Sequence, residues 1–511
     1  MALNLILMKN SMPVRFPVLF LFALGFACAG PVNDGGLNEK ALGTPEAEGI
    51  SSQAILEFVE ALENELPDQI HSLMLRRHGK VVAQGWWAPY DADALHMLYS
   101  LSKSFTSTAI GMAVDEGLIS LDDPVISFFP DDAPDEPGAY LNSMRIRDLL
   151  RMNTGHQTEP NRRTIQGESW AKVFLAHEVP FKPGTHFVYN SMATYMLSAI
   201  IHKVSGETLL DYLTPRLFEP LGIENPTWES DPEGINTGGW GLSIKTEDIS
   251  KFGQLYLQKG VWEGKQLVSE NWVEEATKLQ SSNGSNPNSD WDQGYGYQFW
   301  RCRHQLYRGD GAFGQYCIVM PEQDAVLAIT SGTGDMQKVM DLAWEHLLPA
   351  MKEGALPADE EGAKLLEEKL SNLAISPAEG EERSSNTSSS FSRKYDIISG
   401  DSDITSVSFD FESSPHVIKI FSEGETLSLK PGYKSWEAGN LKYPGLISDR
   451  VMLSGAWLSP DTYQLKMVYY ETPYMADYRI SFSGDKLEVE RALNVSFGPT
   501  RQKTLQGVSV D

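Results

Sequence analysis

The run from Tyr99 to Leu118, YSLSKSFTSTAIGMAVDEGL, constrains this chain more than any other stretch. Phe105, Ala109, Ile110, Met112, Ala113 and Val114 leave few polar positions. It therefore reads as a helix buried on most sides rather than one lying on a surface. Gly117 is its expected C-terminal cap. Ser100 and Lys103 stand in the first turn, three residues apart, and so project from one face.

That placement has a chemical use. A serine hydroxyl is a weak nucleophile until a neighbouring base takes its proton. A lysine can be that base when burial strips water from its ammonium and lowers its pKa, and the positive end of the helix dipole acts in the same direction. Ser-x-x-Lys at a buried helix start is thus a plausible acylation device. The motif alone discriminates poorly, because it recurs at Ser169/Lys172 and Ser483/Lys486. The first repeat opens an amphipathic segment and the second lies in a Ser-Gly-Asp-Lys turn between strands.

Other chemistries are excluded. A formal charge of −27 argues against nucleic-acid binding, which needs a basic footprint. No Gly-x-Ser-x-Gly elbow, His-Glu-x-x-His pair or phosphate loop occurs; Gly264-Lys265 lacks the glycine spacing and the following hydroxyl. His156, His186 and His304 have no carboxylate orienter or nucleophile motif and read as structural. Neither a cofactor nor a metal is implied.

Lys9 and Arg15 precede an apolar run from Phe16 that is too short to span a bilayer, and Ala27-x-Ala29 offers a cleavage site, so residues 1–29 read as a secretory signal peptide. Cys28 adds a second route, membrane anchoring by lipid attachment, although Gly25-Phe26-Ala27 fits such a site poorly. The expected location is periplasmic or secreted. Cys302 and Cys317 remain in the body, flanking an expected hairpin around Arg308 to Gly311. They are either opposed closely enough to bridge or are two buried free thiols.

Strand-like runs at Ser72–Arg77 and 80–87 form a hairpin at His78-Gly79, and more strands follow at 295–302, 315–320 and 325–330. Helical patterns fill the middle: the buried run at Ser100, 144–152, 193–206, 209–217 and 246–260. One antiparallel sheet assembled from both ends of this region is the simplest arrangement. Composition shifts at 353–394, a helix and a linker rich in Glu, Lys and Ser. From 395 to 511 short alternating strands indicate an all-β module with no catalytic constellation.

Together the motifs resemble serine hydrolases of the class C β-lactamase group, which also takes in family VIII carboxylesterases, D-aminopeptidases, D-alanyl-D-alanine carboxypeptidases and 6-aminohexanoate-dimer hydrolases. The resemblance rests on Ser100-Leu-Ser-Lys103, on 149–156 ending in Thr154-Gly155-His156, and on 183–191 containing Tyr189-Asn190-Ser191. Gly238 to Ser243 and Gly309-Asp310-Gly311-Ala312 complete it. It implies an α+β, β-lactamase/transpeptidase-like fold over 45–352, with a helical subdomain, followed by a smaller lipocalin-like β domain. By the same resemblance Ser100 is the acylated nucleophile, Lys103 its base partner and Tyr189 the acid and base. The Ser100 and Ala312 amides form the oxyanion hole, and Ser191, Gly309, Asp310 and Gly311 bind substrate. A phenol near a lysine ammonium is also expected to ionise more easily.

Two departures bear on substrate. The family's Tyr-x-Asn is Tyr189-x-Ser191, so a hydroxyl replaces an amide. The third motif has Gly309 where many members carry a cation for a substrate carboxylate, with Arg303 and Arg308 as possible replacements. The expected activity is hydrolysis of small or peptide-like esters or amides, with β-lactam or D-Ala-D-Ala turnover the alternative. A non-catalytic binding protein on a hydrolase scaffold is the reading from another class.

Overall fold

The computed structural model describes residues 43–160, 169–385, 390–400, 403–422, 424–441 and 449–510. The expected signal segment and Cys28 lie outside the described residues.

Helix α1 (Ser52–Glu65) is capped by the Ser51 hydroxyl, which accepts from the Ala54 N–H at 3.1 Å. Strands β1 (Ile70–Arg77) and β2 (Lys80–Trp86) form the expected hairpin. Its two turn residues, His78 and Gly79, have φ of 48° and 78°, the positive pair that a tight two-residue hairpin turn needs. Helices α2 (Ser102–Asp115), α3 (Ser191–Ser205) and α4 (Thr246–Leu257) belong to the middle of the chain. Strands β3 (Trp300–Arg301), β4 (Tyr307–Gly311), β5 (Gln315–Met320) and β6 (Ala325–Ser331) follow, then α5 (Met336–Leu342) and α6 (Glu360–Ser371).

The sheet runs β2-β1-β6-β5-β4-β3, antiparallel throughout, with Leu75 opposite Leu327. The amino-terminal hairpin is thus stitched to strands some 250 positions later. Alternation along β1 divides the interior. Leu73 and Leu75 join α1 in one core, whereas Met74 joins Phe105, Tyr195 and Phe252 in the other. Every residue from Ser102 to Ala113 is buried, which is why the α2 sequence lacks a polar face.

A ten-stranded antiparallel sheet follows, made of β7 (Lys394–Ser399), β8 (Ile404–Asp410), β9 (Val417–Ser422), β10 (Glu425–Leu429), β11 (Glu437–Asn440), β12 (Arg450–Ser459), β13 (Thr462–Tyr469), β14 (Met475–Ser483), β15 (Lys486–Leu493) and β16 (Leu505–Val510). Its order is β10-β9-β8-β7-β16-β15-β14-β13-β12-β11, around Phe409, Phe411, Trp457, Tyr463 and Phe482. This β domain touches the hydrolase-like part directly: Met97 N–H donates to Glu471 O at 3.0 Å and Tyr90 Oη to Thr472 O at 3.1 Å. Among the described residues, no helix is long and apolar enough to cross a membrane.

The expected strand at 295–302 shrinks to two residues, because Gly294 (φ 106°) and Gln298 (φ 65°) turn the chain. The Gln298 side chain instead donates to the Leu149 and Leu150 carbonyls and accepts from Thr194. Gly309-Asp310-Gly311 lies inside β4, not at a hairpin tip; the tip is Ala312 to Gly314. Cys302 and Cys317 are free thiols. They belong to different cores, on opposite faces of the sheet, so they cannot bridge.

Candidate active site

The buried helix does not begin at Ser100 itself. Tyr99–Leu101 forms a 3₁₀ turn, and α2 starts at Ser102. Ser102 ties the turn down, since its hydroxyl donates to Tyr99 O at 2.6 Å and accepts from Leu242 N–H at 3.1 Å. Ser100 is left partly exposed at the tip while Lys103, one turn deeper, is buried.

Lys103 Nζ donates to Ser100 Oγ at 3.2 Å, to Ser191 Oγ at 3.1 Å and to the Gly239 carbonyl. The nitrogen is therefore surrounded by oxygens contributed by the 3₁₀ turn, α3 and the Gly238-Gly239 loop. The Tyr189 ring centroid lies 5.0 Å from the same nitrogen. Tyr189 stacks on Trp300 at 5.3 Å and meets Tyr295 edge-on. Its phenol is displaced upward, against the expectation of easy ionisation. Burial is the main cause and the nearby Asp310 the next, with a hydrogen bond to Ser100 pulling the other way. Tyr189 is thus a neutral phenol near neutral pH.

Ser191 opens α3. Its N–H and that of Met192 donate to the Glu159 carboxylate at 2.8 and 3.2 Å, while Asn190 Oδ1 caps Ala193 at 3.0 Å. Unpaired N–H groups at a helix start attract an anion, and Glu159 fills that role here. No local pattern marks Glu159, because the helix it caps lies 32 positions away.

The other wall is the edge of β4. β3 pairs with it through Tyr307 and Arg308 alone, so Gly309 to Gly311 border the opening beside Ser100. A Cβ on Gly311 would sit 1.9 Å from Leu98 O and 3.1 Å from Ser100 N; one on Gly309 would sit 2.4 Å from Leu101 Cδ1. Both glycines are needed for this approach. Ala312 comes next, its carbonyl bonded to Gln315 Nε2 at 3.0 Å. Among the described residues its N–H has no acceptor, so it is available for a substrate oxygen.

Asp310 does not face the opening. Its carboxylate is buried and paired with Arg308, whose Nε donates to it at 2.8 Å. Arg308 also donates to Asp290 O and Cys302 Sγ, and Arg303 is held by Asp290 and Asp341. Neither arginine supplies the cation that Gly309 lacks. The Ser-x-x-Lys repeats resolve as structure: Ser169 caps a short helix through Lys172 N–H, and Ser483 pairs with Lys486 across the β14–β15 turn. His156 is buried against Thr154 at 2.9 Å. A hollow of about 260 Å³ lined by Asp68, Trp436, Lys466 and Asn494 includes none of the candidate residues. Among the described residues no acidic, His or Cys cluster could hold a metal.

A partly exposed serine in the turn before a buried helix, lysine-bonded and set against the edge of an antiparallel sheet, agrees with the class that the family match below defines: the protein is a serine hydrolase. Residues 59–352 match the Beta-lactamase family model, and the chain belongs to that family. A 6-aminohexanoate-dimer hydrolase from Paenarthrobacter ureafaciens is 25% identical over 310 residues, 54% of this chain and 78% of that protein. A D-aminopeptidase from Brucella anthropi is 26% identical over 166 residues, 30% of this chain and only 32% of its own length. Among solved structures, a Bacillus anthracis protein provisionally titled a 6-aminohexanoate-dimer hydrolase superposes with a TM-score of 0.51 at 18% identity. That likeness covers 62% of this chain and 88% of the other, and it establishes the fold.

Proposed function

We propose that this serine hydrolase cleaves an ester or amide bond through an acyl-enzyme on Ser100. The observation that carries the reading is Lys103 Nζ, held 3.2 Å from Ser100 Oγ and 5.0 Å from the Tyr189 ring. Ser100 Oγ attacks the carbonyl carbon as its proton passes to Lys103, which serves as the base in its neutral amine form and becomes the ammonium that later reprotonates Tyr189. Tyr189, a neutral phenol, delivers a proton to the leaving oxygen or nitrogen. The Ser100 and Ala312 N–H groups stabilise the oxyanion. Water then enters by the reverse path and releases the acid.

Substrates without a carboxylate beside the scissile bond fit best. Gly309 has no room for a side chain, and Arg303 and Arg308 are engaged internally, so β-lactam turnover is expected to be weak. The names of the relatives include linear amide substrates, which makes linear amides the natural companions to esters in a panel. The amino-terminal run of residues 9–29 supports export, with Cys28 lipidation as the membrane-anchored form.

The test is a panel of p-nitrophenyl esters, D-amino-acid amides and cephalosporins, run on wild type and Ser100→Ala beside intact-mass detection of a fluorophosphonate adduct. Ester or amide turnover lost in Ser100→Ala, with one adduct on Ser100, is expected. Efficient cephalosporin hydrolysis without ester turnover overturns the substrate class. An unlabelled Ser100 with no turnover overturns the catalytic reading in favour of a binding protein.

A further inference from the structure

Two bulky residues beside the oxyanion donors adopt left-handed backbone: Tyr99, before Ser100, at φ 47°, and Phe313, after Ala312, at φ 66°. Such residues avoid that region unless the surroundings hold them there. Their rings meet edge-on, with centroids 5.7 Å apart.

Two more rings arrive from the β domain. Tyr474 packs edge-on against Tyr99 at 6.5 Å and Phe313 at 5.7 Å, and its hydroxyl bonds to that of Tyr99. Phe497, in the loop between β15 and β16, lies 5.6 Å from Tyr99 and 4.8 Å from Phe313. Phe497 is nonetheless 65% exposed. Its loop is anchored: Asn494 Nδ2 donates to Gly332 O and Pro473 O, both at 2.9 Å, and Asn494 Oδ1 accepts from Met475 N–H. Ser331 and Thr333, flanking Gly332, in turn hold the Phe313 carbonyl. The β domain is thus bonded to the turn that carries the Ala312 N–H.

We infer that Tyr474 and Phe497 of the β domain, with Tyr99 and Phe313, form an aromatic wall that selects the acyl group of the substrate, favouring aryl and longer alkyl chains over acetyl. This rests on the proposed Ser100 acyl-enzyme. The assignment to the acyl side follows from the proton path. The leaving group must reach Tyr189, which stacks on Trp300 at the Lys103 side of Ser100. Tyr99 and Phe313 directly adjoin Ser100 and Ala312 in the chain, and the carbonyl substituent that stays on the enzyme is seated against their rings and the two rings packed on them. An exposed phenyl ring fixed on an anchored loop is suited to stacking against an apolar group that arrives with substrate.

The experiment compares kcat/KM for p-nitrophenyl phenylacetate and p-nitrophenyl acetate in the full-length wild type, Phe497→Ala, Phe497→Leu and Tyr474→Ala. A second series holds the acetyl group constant and varies the leaving phenol. Phe497 is mostly exposed, so its removal spares the core. The phenylacetate-to-acetate ratio is expected to fall about tenfold in Phe497→Ala, the scale of one lost apolar subsite contact, and less in Phe497→Leu, with leaving-phenol dependence unchanged. A ratio within twofold of wild type, or a change confined to the leaving-phenol series, overturns the inference. Fluorophosphonate labelling separates the two failures. Ser100 labelled with unaltered selectivity removes the wall alone, whereas an unlabelled Ser100 in wild type removes the proposed function.

Discussion

Gly311→Ala tests whether the approach of β4 to the Ser100 turn is part of the chemistry. The new methyl carbon would lie 1.9 Å from the Leu98 carbonyl oxygen, where carbon and oxygen normally approach no closer than about 3.3 Å. Backbone must therefore give by about 1.4 Å, the shortfall against that ordinary contact. Leu98 O is a poor candidate to yield, because Leu101 N–H bonds to it and Leu98 N–H is bonded to Leu242 O. The strand moves instead, and Ala312 N–H moves with it away from Ser100 N–H. A misplacement of about 1 Å costs about a hundredfold in rate, and losing one oxyanion donor costs about 10²–10³. The expected kcat/KM on a p-nitrophenyl ester is lower by that factor, with fluorophosphonate labelling slowed in parallel and a cooperative thermal transition retained. Gly309→Ala is the comparison. Its methyl would meet Leu101 Cδ1 and Ser104 Oγ, ends of side chains that can rotate, so a smaller rate loss and an overpacking cost of about 1–3 kcal/mol are expected. A Gly311→Ala enzyme within threefold of wild type would refute the reasoning.

Three more outcomes follow from the same structure. Burial holds His96 and His156 down to about 4 and His71 well below its ordinary value, against about 6.5 in the unfolded chain. The unfolded state binds more protons in that window. Stability is then complete above pH 6.5 and declines toward pH 4, by about 1.4 kcal/mol per pH unit for each histidine. Melting curves from pH 7 to 4.5 check this, and an unchanged slope in His156→Asn would contradict it. Arg308→Met leaves Asp310 buried without its partner and should cost about 3–5 kcal/mol in denaturant unfolding, much of it recovered when Asp310→Leu is added. Ser169→Ala removes a helix cap, about 1 kcal/mol, and should leave ester hydrolysis intact; loss of activity there would move the nucleophile away from Ser100.

The sequence by itself determined the antiparallel sheet built from both ends, the buried α2 helix and the strand-rich carboxyl-terminal domain, because these follow from local periodicity. It also singled out Ser100, Lys103 and Tyr189 through motifs in family order, and Gly309 as the missing cation. Only the tertiary structure decided what those residues meet. Asp310 faces Arg308 rather than the opening because alternation along β4 gives Gly309 and Gly311 the side toward α2. Cys302 and Cys317 stay apart because the sheet lies between them. The rise in the Tyr189 phenol comes from burial, which no residue pattern displays. Glu159, Tyr474 and Phe497 left no signal at all: they reach the site across 32 to nearly 400 positions of chain, and spacing in a sequence carries no information about contacts that packing alone creates.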